Sequence, residues 1–177
     1  MADQWRVRNN FHHSGGGSVL YITNNWERND SHNLNPLVGA NWLTQNSGIF
    51  SFPSTGVFLI TYNFQARNQQ PTVSGTDQGA ALYAVDNGAY TGYPIRYIAI
   101  GLETTIDNEQ SWGPNNWAHE SVHEQSNAYV QLGGSYLFKV TDTANCKFRF
   151  TYQAARATTF MGEDTRNYNF LTVVQLL

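Results

Sequence analysis

Two histidines and a glutamate in His119-Glu120-Ser121-Val122-His123 make the sharpest reactive constellation in the chain. On a helix this spacing sets two imidazoles one turn apart to hold zinc, with the glutamate beside the metal-bound water as the base of a peptidase. The segment follows Gly113-Pro114-Asn115-Asn116 and runs into Gln125-Ser126-Asn127, residues that disfavour a helix. On a strand the two histidines would share a face but lie about 13 Å apart. A longer form of the zinc motif also asks for glycine where Ser126 stands and for a third histidine where Tyr129 stands. A zinc metallopeptidase is therefore the weakest of the functional readings, and a chance match in a polar surface stretch is preferred.

Other reactive side chains do not converge either. His12 and His13 are adjacent, and neighbours on a strand point to opposite faces, so one ion cannot easily take both. No serine sits in a Gly-x-Ser-x-Gly elbow, and no nucleophile is assigned. No catalytic residue, metal or cofactor is expected, and the chain reads as a non-enzyme. The candidates for contact are aromatic: Tyr90, Tyr93, Trp112 and Trp117 fall in loop-like or strand-end contexts. There, rings either stack on sugar faces and anchor a protein interface, or plug the ends of a sandwich.

Composition narrows the partners. Charged residues make up only 13% of the 177 positions, so the surface must be covered by Asn, Gln, Thr, Ser and Gly, a mixture that disfavours helices. The net charge is −3, the only lysines are Lys139 and Lys147, and the arginines are scattered, which leaves no basic stripe for a nucleic acid. Cys146 is the only cysteine, which removes intramolecular disulfides and thiolate clusters. No apolar run approaches the roughly 18 residues of a membrane helix, and Met1 to Asn10 lacks the apolar core of a signal peptide. The expectation is a soluble chain with no membrane partner and no export signal.

The elements that must position any site follow a period of two. From Val57 to Arg67, Phe58, Ile60, Tyr62, Phe64 and Ala66 point one way and Leu59, Thr61, Asn63 and Gln65 the other, which predicts a strand with one core face. Further strands are expected over 19–23, 80–85, 96–105, 135–140 and 147–153, with Asp86-Asn87-Gly88 as a hairpin turn. At the start, residues 1–18 read as an N-terminal arm with a short strand from Trp5 to Phe11 and the loop Gly15-Gly16-Gly17-Ser18. From Phe170 to Leu177 both alternating sets are mostly apolar, which predicts a strand buried on both faces, its outer side covered by a loop or by another chain. Residues 106–127 show no period and read as a long loop. The sum is a single all-β domain over residues 1–177, an antiparallel β-sandwich or jelly roll.

The segment Gly48-Ile49-Phe50-Ser51-Phe52-Pro53-Ser54-Thr55-Gly56-Val57-Phe58-Leu59-Ile60-Thr61-Tyr62 resembles the signature of the tumour necrosis factor and complement globular-head jelly rolls: an aromatic strand, a proline, a glycine turn and a second aromatic strand. Asn169-Phe170-Leu171-Thr172-Val173-Val174 is similar to the closing strand of that family, which runs through the middle of its inner sheet. Gly162 to Leu171, with its Asp-x-Asn-rich turn, looks most like structural proteins of bacteriophages, especially marine cyanobacterial ones. The resemblance covers about residues 43–177.

It implies a homotrimer without catalytic activity, packed around an axis through aromatic and aliphatic side chains. Phe170, Thr172, Val174 and Leu176 are the candidates for that packing. No collagen-like, coiled-coil or triple-spiral repeat precedes the domain, which suits a capsid decoration that stabilises the head, or a short surface appendage, better than a long fibre. The implied partners are other copies of the chain and capsid or tail proteins, and the implied location is the virion surface after assembly in the host cytoplasm. The alternative is a receptor- or glycan-binding fibre-tip module that meets a host-surface glycan through its loop aromatics.

Overall fold

Alternation along a strand becomes burial once a second sheet covers the apolar side, and this chain does so with two antiparallel sheets. The computed structural model describes residues 1–28, 42–68, 97–121, 129–163 and 166–176. Among them run β1 (Ala2–Val7), β2 (Phe11–Gly15), β3 (Leu20–Tyr21), β4 (Trp26–Arg28), β5 (Thr44–Asn46), β6 (Ile49–Ser51), β7 (Gly56–Asn68), β8 (Tyr97–Thr105), β9 (Gly113–Ser121), β10 (Tyr129–Val140), β11 (Lys147–Ala154), β12 (Arg156–Phe160) and β13 (Phe170–Gln175). No helix occurs among the described residues.

The first sheet is ordered β2-β12-β7-β13-β1-β4, with β10 along the other edge of β7. The second is ordered β5-β6-β11-β8-β9, with β3 beside the end of β11. Between them Phe58, Ile60, Tyr62, Phe64 and Ala66 of β7 and Leu171 and Val173 of β13 face Ile98, Ile100 and Leu102 of β8 and Phe148 and Phe150 of β11. Rings dominate the contact: Phe50 stacks on Phe148 at 4.8 Å, and Phe150 lies 5.2 Å from Tyr62 and 5.4 Å from Phe64. Cys146 is buried, as a small apolar residue would be. Gly48 holds φ at +81°, and a Cβ there would strike the Ile22 carbonyl, so the turn between β5 and β6 needs glycine.

The proline-glycine segment after β6 carries the chain from the second sheet to the first, with Phe52 at the crossing against Phe58, Phe138 and Phe148. Elsewhere the structure departs from the expectations. The strand expected from Trp5 to Phe11 is two strands: after Val7 the chain leaves β13 and re-enters the sheet beside β12, with Arg8 N–H donating to the Asn25 carbonyl at the break. Residues 19–23 pair only over Leu20–Tyr21.

Residues 106–127 are not one long loop. Strand β9 crosses them as an edge strand paired to β8, and its pattern carries no buried position that would mark it as a strand. The strand from Phe170 is fully buried on one face only, through Leu171 and Val173; within one chain Phe170, Thr172 and Val174 stay half-buried and Leu176 is 50% exposed. The expected strand over 80–85 and the turn at Asp86-Asn87-Gly88 lie outside the described residues.

The turn from β8 to β9 is held by Asp107, whose carboxylate accepts hydrogen bonds from the Ser111 hydroxyl, the Thr105 hydroxyl and the Ser111 backbone N–H. These donors, the Ser111 hydroxyl first, lower its pKa from 3.8 to about 2. The fold therefore favours the charged form, and this contribution is complete above the ordinary value and lost as pH falls through about 2. A carboxyl titration followed by NMR should give Asp107 a midpoint near 2, and in Ser111→Ala the midpoint should move back up. A midpoint at the ordinary value in the parent chain would refute this turn.

Candidate functional site

Register places side chains on the outer faces in rows, and the two outer faces differ in kind. On the first sheet, Ala2, Val174, Leu59 and Leu137 stand side by side on β1, β13, β7 and β10. Leu176, whose N–H donates to the Val57 carbonyl, continues the apolar stretch toward the strand end. Leu137 is 60% exposed. The next row is polar and knitted internally: Gln4 Nε2 donates to Thr172 Oγ1 at 3.0 Å, and the Thr61 and Ser135 hydroxyls lie 3.2 Å apart. Phe170 opens the following row, between Arg6 and Asn63. All four packing candidates, Phe170, Thr172, Val174 and Leu176, thus lie on this side of β13. Sequence reasoning missed Ala2, Leu59 and Leu137, because their adjacency to Val174 exists only through pairing of four strands.

On the second sheet the outer face is polar and aromatic. The Arg149 guanidinium on β11 lies between two rings, 4.1 Å from Tyr21 and 4.0 Å from Trp112, while Glu103 on β8 accepts from its Nε at 2.8 Å and its Nη2 at 2.7 Å. Stacking and ion pairing fix the guanidinium in one orientation. Across the sheet Trp117 pairs with Gly101, and its ring fills the space above that glycine, where a Cβ would meet it at 2.8 Å. The His119 ring follows at 5.7 Å from Trp117 and 6.2 Å from Tyr97.

Trp112 and Trp117 are therefore brought to one face, joined by Tyr21, Tyr97 and Arg149, which no local pattern had marked, and by His119, which the sequence had marked only as part of the zinc motif. Tyr90 and Tyr93 lie outside the described residues.

Residues 119–121 are extended in β9, and both His119 and Glu120 are exposed, so the helical turn required by the zinc motif is not present there; His123 lies outside the described residues. Among the described residues no group of three or more His, Cys, Asp or Glu is placed to hold a metal ion, and no helix is long and apolar enough to cross a membrane. The His12 and His13 rings point apart. His12 Nδ1 meets Thr159 Oγ1 at 3.0 Å, whereas His13 is buried, its Nδ1 accepting from Gly15 N–H and its Nε2 meeting the Ser18 carbonyl at 2.7 Å. The accepting Nδ1 places the His13 proton on Nε2. Tyr62, beneath the β9–β10 edge, has its phenol pushed up to about 12 by burial, which suits a core hydroxyl donating to the Asn116 carbonyl and not an acid working near neutral pH.

No protein-family model matches the chain, and no curated protein matches it. Solved structures do. Murine APRIL in its pH 5.0 crystal structure is 10% identical, with a TM-score of 0.60 over 99% of this chain and 98% of that one. The Eiger TNF from S. frugiperda is 11% identical, with a TM-score of 0.60 over 100% of this chain and 92% of that one. At such identities the likeness concerns the path of the backbone alone. That path, two antiparallel sheets with the last strand inside the first sheet, is the tumour necrosis factor-like jelly roll.

Proposed function

We propose that this chain is a non-enzymatic structural protein that assembles as a homotrimer through the outer face of its first sheet, and that the trimer sits on a bacteriophage virion as a capsid decoration or short surface appendage. The observation that carries the assembly is the row Ala2, Val174, Leu59 and Leu137, flanked by Leu176, in which aliphatic side chains from four strands turn outward together. A sheet face of this composition gains free energy when a second surface excludes water from it. Copies related by rotation cover such a face on every subunit when the ring closes. The jelly-roll likeness supports this reading, since trimers are typical of the fold. The virion role rests on the resemblance of Gly162 to Leu171 to phage structural proteins.

Light scattering after size exclusion is the test. The parent chain is expected at three times 19.9 kDa and a Leu137→Asp variant at one. Because Leu137 points to solvent within the single chain, the aspartate leaves the core intact and acts on association alone. A parent chain at 19.9 kDa would overturn the assembly. The virion role is tested separately by adding the purified protein to homologous capsids and tails that lack it: rebinding is expected, and failure on both would overturn that role while the trimer stands.

A further inference from the structure

The outer face of the second sheet takes no part in the proposed assembly, and its chemistry differs from that of the first. Its register rows run Thr44–Ser51–Lys147–Thr105, then Asn46–Ile49–Arg149–Glu103, then Tyr21–Thr151–Gly101–Trp117, then Gln153–Ala99–His119. In these rows, with Pro114 of β9 beside Glu103, the aliphatic residues are Ile49, Ala99 and Pro114 alone, too few for the greasy centre of a protein interface. At one end lies a recess of about 270 Å³ lined by Thr44, Gln45, Asn46, Ser47, Ile49, Ser51, Lys147 and Glu109, hydroxyls and amides around one ion pair with Ile49 as the one aliphatic side chain. Beside it stands the Tyr21–Arg149–Trp112 stack, and beyond that the Trp117 ring laid over Gly101.

The charges on this face close on one another. Arg149 is neutralised by Glu103 at 2.7 Å, and Lys147 by Glu109 at 2.5 Å, with Asn108 also accepting from its ammonium at 2.7 Å. An anionic ligand would have to displace a carboxylate whose Oε2 already accepts from both Nε and Nη2 of Arg149, and a cationic one would have to displace a guanidinium already stacked on two rings. What the face offers freely is ring surface, with Tyr21 46% exposed, next to short neutral donors and acceptors.

An uncharged sugar presents that same pair of features, an apolar C–H face for stacking and a rim of hydroxyls for amide and hydroxyl partners. We infer that the outer face of the second sheet is a binding site for an uncharged oligosaccharide, with one sugar in the recess between β5 and β11 and others stacked on Tyr21 and Trp117. Arg149 is a positioning residue: its guanidinium, held by Glu103, keeps the Tyr21 and Trp112 rings in place, 4.1 and 4.0 Å from it. The inference is independent of trimer formation, which uses the opposite face of the molecule.

The test is a glycan array carrying neutral, sialylated and sulfated oligosaccharides, read with the full chain and followed by calorimetry on the best neutral member. Neutral members are expected to bind, with affinity at least tenfold weaker in Tyr21→Ala and in Trp117→Ala while native mass and melting temperature hold. Leu137→Asp should keep the affinity per chain for a single soluble oligosaccharide, which separates this site from the assembly face. Four outcomes would overturn the inference: no neutral glycan retained, preference for the sulfated or sialylated members, undiminished binding in both aromatic variants, or a change of native mass in those variants, which would assign the face to a second copy of the chain.

Discussion

Phe150→Ala is expected to lower the unfolding free energy by about 3–5 kcal/mol, the range for removing a large ring from a core that cannot collapse around the gap. Phe150 is fully buried and stands where the aromatic clusters of the two sheets meet. Its centroid lies 5.7 Å from Trp26, 5.2 Å from Tyr62, 5.4 Å from Phe64 and 6.1 Å from Phe148, so the deletion strips contacts from four rings at once. Those neighbours come from three strands, β4, β7 and β11, each held in place by backbone ladders, and none can move inward without breaking pairing. Phe150→Leu keeps most of the volume and should cost well under half as much. Urea unfolding of the variants and the parent at one protein concentration reads both numbers, and a loss below about 1 kcal/mol for the alanine variant would show that the ring is not in a closed core.

The same ring explains what could be read from the sequence. Phe148, Phe150 and Tyr152 announce a strand because each inward position is filled by a large side chain and each outward one by Lys, Arg or Thr, and the structure pairs β11 over that whole run. Strand β7 and the crossing at Phe52-Pro53 were legible for the same reason: burial writes itself into alternation. Strand β9 was not, since an edge strand over the rim of a sandwich needs no large inward residue; Asn116, Ala118 and Glu120 fill the positions where Phe or Ile would signal a core.

The surface sites were half legible. Trp112 and Trp117 stand out by type, but the partner that organises Trp112 is Arg149, and the ring on the other side of that guanidinium is Tyr21, 128 positions away along the chain by the difference of their numbers. Val174 could be named from the double apolar pattern of the last strand, whereas Leu59 and Leu137 looked like ordinary outward residues of strands whose other face was plainly core. Pairing between strands decides which outward residues meet, and a single sequence carries no record of pairing.

Asp3→Ala is expected to cost a similar 3–5 kcal/mol, for an electrostatic reason. The Asp3 side chain has no solvent exposure, and its two oxygens accept from Arg28 Nε at 3.2 Å, Arg28 Nη2 at 3.3 Å, Trp5 Nε1 at 3.2 Å and Leu43 N–H at 3.1 Å. Arg28 in turn donates to the Leu43 carbonyl at 2.7 Å and lies 4.6 Å above the Trp5 ring. One carboxylate therefore satisfies an indole, a backbone amide and a guanidinium that binds β1, β4 and the start of β5 together. Removing it strands all three donors, and the guanidinium, only a quarter exposed, cannot recover its hydration. Arg28→Ala should cost about as much, by leaving a buried carboxylate without its cation, while the double variant should cost clearly less than the sum, because neither charge is then left alone. Urea unfolding of the four proteins supplies the cycle, and additive losses would mean that the two side chains act separately. Since β1 supplies Ala2 and Gln4 to the outer face of the first sheet, Asp3→Ala should also raise the concentration at which the proposed trimer dissociates, a shift that Phe150→Leu, on the far side of the core, should not produce.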